Sequence, residues 1–198
     1  MSKTYHHGDL RQALIAETLK LLKLKPAEQV SVADAARELG VSSGAPYRHF
    51  KDRDALLAEV AAIGFDSLRD RMSREMDPFD PGDIDRIVAG GCGYIFFSVE
   101  NPELFHVMWG AARLKDAHEV AQKSGERCYR NFIENLARVM AAKGFDSREP
   151  TVFGTPLWTM VHGFASLVIA ENRMLDRDSA SIRRQVADAT HAYFRGMA

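Results

Sequence analysis

Residues 31–57 read SVADAARELGVSSGAPYRHFKDRDALL, and this stretch decides the fold. Val32, Ala35, Ala36 and Leu39 fall at i, i+3, i+4 and i+7, one apolar stripe on a helix. Gly40 ends that helix, because glycine takes a positive φ without steric cost. Ser42 or Ser43 is placed to cap a second, short helix. Asp52 then caps a long helix running from about residue 53 to about residue 72. Two helices joined by a short glycine-containing turn form a helix-turn-helix, whose second helix enters the DNA major groove. The first chemistry this sequence points to is therefore DNA.

On the second helix the exposed residues are Ser42, Ser43, Gly44 and Ala45, the expected base-reading segment. It lacks the long side chains that make bidentate base contacts, so direct readout there rests on serine, backbone and the alanine methyl. Just beyond it stand Tyr47, His49, Lys51 and Arg53. A phenol, an imidazole and two cations at this place can clamp backbone phosphates and fix the register on the duplex. The alternative is that Tyr47 packs in the small core and the charges are merely solvated. Phe50 is expected in the core, because this part of the chain has few other large residues.

These residues carry a resemblance. Leu39-Gly40-Val41-Ser42, with Tyr47-Arg48-His49-Phe50 and Asp52-Arg53-Asp54-Ala55-Leu56-Leu57, resembles the DNA-binding end of the TetR family of bacterial repressors. Tyr5-His6-His7-Gly8-Asp9-Leu10-Arg11 resembles the N-terminus common in one branch of it. Trp158-Thr159-Met160-Val161-His162-Gly163 resembles the Trp-x-x-x-His-Gly signature of that branch's C-terminal domain. The resemblance implies phosphate contacts by the tyrosine, the histidine and the basic residue opening the long helix. It also implies a two-fold dimer that represses at an operator. A small molecule entering the body would swing the DNA heads apart through the long helix.

Composition sets bounds. The chain has 198 residues, 46% of them hydrophobic, which fits an ordinary globular protein of one or two domains. The formal net charge is −1, but residues 1–53 hold nine lysines and arginines against six carboxylates. That leaves a basic N-terminal end on an acidic body, suited to DNA contact at one end. Cys92 and Cys128 have neither metal-ligand spacing nor a disulfide framework, which suits a reduced, cytoplasmic setting. The N-terminus is polar, with no apolar signal segment. The most apolar run, residues 157–170, is interrupted by Thr159, His162 and Ser166 and is expected to be too short and polar to span a bilayer.

The rest of the chain reads as helical. Asp77-Pro78-Phe79-Asp80-Pro81-Gly82-Asp83 is a breaker cluster. A helix follows over 84–99, where Gly90, Gly91 and Gly93 are expected to mark close helix packing. Asn101-Pro102 restarts the chain as a short helix, and a long one follows over 116–143, ending at Gly144. Thr155 and Pro156 are expected to open the next helix, and Ser179 or Ser181 the last. The expected fold is all-α: an N-terminal three-helix DNA-binding module over residues 1–55, then a helical ligand-binding and dimerisation domain over 56–198.

Tyr94, Phe97, Phe105, Met108, Trp109, Phe132, Trp158 and His162 are the raw material of a pocket for a small apolar or aromatic ligand. The alternative is an ordinary core. Residues 156–170 are apolar on more than one face, and 181–195 carry a stripe of Ile182, Val186, Ala189 and Tyr193. Both are expected to pair with a second copy. His6, His7 and Asp9 read as a solvated arm rather than a metal site. No cofactor-binding, metal-binding or catalytic arrangement stands out, and no enzyme is expected. The sequence thus describes a ligand-responsive DNA-binding regulator. The alternatives are a DNA-binding dimer without a functional ligand, and a helical ligand-binding protein or enzyme with no DNA role.

Overall fold

The computed structural model describes residues 7–110, 119–145, 147–171, 175 and 177–197. Among these residues there are eight α-helices and no strand. They are α1 (His7–Leu21), α2 (Val32–Glu38), α3 (Arg53–Met76), α4 (Ile84–Glu100), α5 (Pro102–Gly110), α6 (Glu119–Ala142), α7 (Pro150–Ile169) and α8 (Ser179–Met197). Of the expected solvated arm, His6 lies outside the described residues, while His7 and Asp9 fall within α1. The expected start of the long helix at 116 also lies outside the described residues.

The chain divides into two compact units. The first comprises Met1–Phe65 with Asn101–Gly125, and the second Asp66–Glu100 with Glu126–Ala198. The helix α3 contributes to both. The short helix α5 clusters with the DNA-binding end rather than with the second unit.

In the first unit, α2 starts at a capping box. The Asp34 N–H donates to the Ser31 hydroxyl oxygen at 3.1 Å, and the Ser31 N–H donates to the Asp34 carboxylate at 3.1 Å. Each satisfies a donor that the helix start leaves free. The end of α2 is equally well defined. Gly40 has φ +66°, its N–H donates to the Arg37 carbonyl, and the Val41 N–H donates to the Ala36 carbonyl. This is the Schellman arrangement, which requires a left-handed residue at Gly40. Leu14, Val30, Val32, Ala35, Ala36, Phe50, Leu56 and Val60 form the buried centre, with Phe50 only 3% exposed.

The expected second helix of the helix-turn-helix is shorter than the sequence suggests. It is a single 3-10 turn, Pro46–Arg48, with no side-chain cap from Ser42 or Ser43. Its bonds run mostly from i+3 to i: Ala45 to Ser42, Arg48 to Ala45 and His49 to Pro46. Pro46 has no N–H to give, and Gly44 costs about 1 kcal/mol in a helix relative to alanine. These two residues disfavour a longer α-helix here, and one i+4 to i bond, from Phe50 to Pro46, closes the turn.

In the second unit, α4 runs through the middle. A Cβ on Gly91 would lie 3.2 Å from both Val161 on α7 and Val186 on α8, and one on Gly93 would lie 3.2 Å from the Met72 backbone. The glycines therefore permit close helix approach. Ile87, Leu136, Val139, Met140, Phe153, Leu157 and Phe194 form one core cluster. Arg86 closes the breaker turn by donating to the carbonyls of Met76 at 2.8 Å and Phe79 at 2.9 Å.

One expected boundary moves. The helix α7 opens at Pro150, and Pro156 lies inside it rather than at its start. The bond Pro156 cannot make would go to the carbonyl of Val152, a residue 71% exposed. The last helix opens at Ser179, as expected, and is capped by Asp178, whose carboxylate accepts the N–H groups of Ala180 and Ser181, each at 3.1 Å. The stripe of α8 also turns inward, since Ile182 and Val186 are buried within their own chain. By length and composition α7 is able to cross a membrane, although only a third of its apolar window is buried.

Candidate nucleic-acid interface

The helix-turn-helix is held in place by charge. Asp34 accepts from Lys25 at 2.9 Å and from Arg37 at 2.6 Å, in addition to its bonds with Ser31. The Lys25 ammonium and the Ser31 hydroxyl hold its carboxyl well below the usual carboxylate range. Asp34 therefore stays ionised and joins the segment after α1 to α2. The sequence carried the signal for this cap in Ser31-Val32-Ala33-Asp34, the serine-x-x-acid pattern of a capping box.

The segment from Ser42 to Gly44 is exposed, and Ala45 is half-buried. Tyr47 is 56% exposed. Phe50, by contrast, fills the core. Lys51 is exposed and His49 half-buried. These side chains sit on one short run of backbone, so together they can meet one stretch of duplex.

Arg53 does more than the sequence indicates. Its Nε donates to the Val30 carbonyl at 2.7 Å and its Nη2 to the Ala27 carbonyl at 2.5 Å. Two of its donors thus fasten the start of α3 to the 3-10 turn Ala27–Gln29, which leads into α2. Nη1 lies 4.0 Å from the Asp54 carboxylate.

The eight residues expected around a ligand fall into two clusters, one in each unit. In the second unit the Tyr94 hydroxyl lies 2.8 Å from His162 Nδ1. The Trp158 ring stacks on His162 at 5.7 Å, and Tyr129 meets Trp158 edge-on at 5.9 Å and lies 6.1 Å from Phe132. Tyr129, on the largely polar helix α6, carries no signal in sequence for this place. Burial lowers the pKa of His162, so its ring is neutral at pH 7. Phe97 is buried in the same unit. In the first unit Trp109 meets Phe65 edge-to-face at 5.4 Å and Phe105 at 6.1 Å, and Met108 is buried beside Gly64. Among the described residues, no group of three or more histidine, cysteine or acidic side chains is placed to hold a metal.

A helix-turn-helix carried on an all-helical body defines a DNA-binding protein of the regulatory kind. Residues 14–60 match the family model described as bacterial regulatory proteins, tetR family. Residues 87–189, just over half of the chain, match that of the tetracyclin repressor-like C-terminal domain. The chain belongs to the tetR family.

Among solved structures it is similar to a Rhodococcus sp. RHA1 protein of unknown function, with TM-score 0.83, 26% identity and 98% of each chain covered. It shares its fold with the TetR family transcriptional regulator PfmR of Thermus thermophilus, at TM-score 0.62 and 20% identity, covering 92% of this chain and 97% of that one. It is also 23% identical over 139 residues to the nucleoid occlusion factor SlmA of Idiomarina loihiensis, covering 70% of each. Membership makes this chain a DNA-binding transcriptional regulator that dimerises on an operator, and not an enzyme.

Proposed function

We propose that the chain is a repressor, released from its operator by a small apolar or aromatic molecule, and that it acts in the cytoplasm. The observation that carries the DNA half is the exposed run Ser42–Gly44 with Tyr47 and Lys51, set on a buried scaffold of Phe50 and α2. Tyr47, His49, Lys51 and Arg53 contact phosphates. Ser42, Ser43, Gly44 and Ala45 face the bases. The DNA-binding domain of this reading covers residues 1–55 and the ligand and dimer domain 56–198, with α5 packed on the former.

The ligand contacts proposed are Tyr94, Phe97, Phe132, Trp158 and His162 in one unit and Phe105, Met108 and Trp109 in the other. Aromatic faces with a single neutral imidazole suit an uncharged ligand carrying one hydrogen-bonding group. Such a molecule releases DNA only by binding the DNA-incompetent state more tightly.

The dimer forms through α7 and α8. One side of α7, with Phe153, Leu157, Val161, Ala165 and Val168, is buried in its own chain. The other side presents Met160, Gly163, Phe164 and Leu167, with Leu167 46% exposed and a Cβ on Gly163 meeting open space. A second copy, rather than lipid, covers this face.

Selection of duplexes from a random-sequence pool tests the reading. Recovered sequences should share a two-fold symmetric site with half-sites about one helical turn, or a small multiple, apart. Recovery of no common sequence would overturn it.

A further inference from the structure

A full recognition helix offers its N-terminal residues to the base edges. This chain has two tight turns in succession at that place. The Ala45 N–H donates to the Ser42 carbonyl at 3.0 Å, and the Arg48 N–H to the Ala45 carbonyl at 3.3 Å. Along the 3-10 turn Pro46–Arg48, side chains three residues apart eclipse one another. Pro46 is buried and His49, three residues on, is half-buried, so that row turns toward the small core. The neighbouring row holds Ala45 and Arg48, and Arg48 is exposed.

The residues that precede Arg48 on this surface are small. A Cβ on Gly44 would meet nothing within 4 Å, and Ala45 adds only a methyl. The backbone can therefore come close to a groove, and a long side chain on the same surface reaches deepest into it. Arg48 is the only lysine or arginine between Ser42 and His49. Other cations of this unit are committed, Lys25 and Arg37 to Asp34, Arg11 to Glu59, and Arg53 to two carbonyls. Among the described residues no hydrogen bond or ion pair holds the Arg48 guanidinium.

A guanidinium presents two parallel N–H donors in a planar fork. Guanine O6 and N7 are the two adjacent acceptors that match it in the major groove. No other side chain between Ser42 and His49 offers such a pair of donors. We infer that Arg48 is the specificity-determining residue, donating two hydrogen bonds to O6 and N7 of one guanine in each half-site. This rests on the functional reading above and deepens it. Base reading is thereby carried from the C-terminal end of the turn, while the small residues 42–45 set the distance of approach.

The test uses the full-length protein and the duplex it selects from a random-sequence pool. Each half-site guanine is replaced in turn by another base, and by 7-deazaguanine, which pairs as guanine does but lacks the N7 acceptor. Binding is measured for the native protein, Arg48→Ala and Arg48→Met, the last keeping an apolar stem without donors. Both variants should melt with the native protein, because the guanidinium holds nothing in the fold. The native protein is expected to prefer one guanine over other bases by about 5- to 150-fold, the discrimination of one good bidentate contact. Arg48→Ala and Arg48→Met should lose that preference and keep those at other positions. At the same place 7-deazaguanine should weaken the native protein and leave both variants unaffected. A uniform loss on every duplex, with a lower salt slope, would make Arg48 a phosphate contact and overturn the inference alone. An equal cost of 7-deazaguanine in native and variant proteins would do the same. Recovery of no common sequence overturns the functional reading, and this inference with it.

Discussion

The Tyr94 hydroxyl and His162 Nδ1, 2.8 Å apart, join α4 to α7 through one polar contact in an aromatic surround. Burial lowers the His162 pKa, so the folded protein resists a proton that the unfolded chain accepts at about pH 6.5. The stability associated with this site is therefore intact above that pH and is lost as pH falls below it. Urea unfolding of the native protein should show a midpoint that drops between pH 7 and pH 5, and His162→Gln should reduce that drop. Equal drops in the two proteins would show that the imidazole is not desolvated.

Asp34 gives a second pH dependence, with the opposite chemistry. Its carboxyl is held low by Lys25 first and Ser31 next, so its contribution is complete above about pH 4 and fades as pH falls further. Ser31→Ala should cost about 1 kcal/mol, the usual size of a lost helix N-cap. Asp34→Asn should destabilise the protein at pH 7, with the gap to the native protein narrowing in acid. A constant gap from pH 7 to pH 3 would mean that the ion pair and cap add nothing.

Phosphate contacts carry no sequence information, which separates them from base contacts. Tyr47→Phe and Lys51→Ala should weaken binding to all duplexes alike, and Lys51→Ala should lower the salt slope by about one. Arg53→Ala should lower the salt slope too, and in addition reduce thermal stability, because the Ala27 and Val30 carbonyls lose their donor. A change in base preference in any of the three, without loss of affinity, would contradict the assignment.

Burial pushes the Cys128 thiol up to about 12 and the Cys92 thiol up to about 11. The thiolate is the reactive form, so both cysteines should be inert in the folded protein. A chromogenic disulfide reagent at pH 8 should titrate neither thiol until denaturant is added. Rapid reaction of either in native buffer would refute their burial.

The outward face of α7 is the place to break the dimer. Leu167→Glu and Met160→Glu should yield folded monomers by sedimentation, with the helical circular dichroism retained. Val186→Glu should instead unfold the body, since Val186 is buried beside Gly91. A Leu167→Glu protein that still sediments as a dimer would move the interface elsewhere.

The parts of this fold that sequence discloses are those encoded by local backbone chemistry. Gly40 announced its left-handed turn, Asp52 its cap to Ala55, and the apolar spacing of residues 32–39 its helix. Where a local rule met competition, it misled. Thr155-Pro156 has a good helix-opening signature, but Pro150 suits a first helical position too and α7 begins there, without a side-chain cap from Glu149. The α8 stripe of Ile182 and Val186 is a true packing seam, but periodicity cannot say whether the partner is the same chain or another. The 2.7 Å bond from the Ala27 N–H to the Glu103 carboxylate has no signature in sequence, because one partner is a backbone N–H, which every residue except proline has. The same holds for Arg53, whose cationic character suggested phosphate while two of its donors serve carbonyls.

The protein is expected to act as a dimer that grips DNA through charge. Sedimentation of the protein with its selected duplex, repeated across a salt series, tests this directly. Two chains per duplex are expected, with affinity falling linearly on a log–log plot against salt concentration. One chain per duplex, or an affinity indifferent to salt, would contradict it.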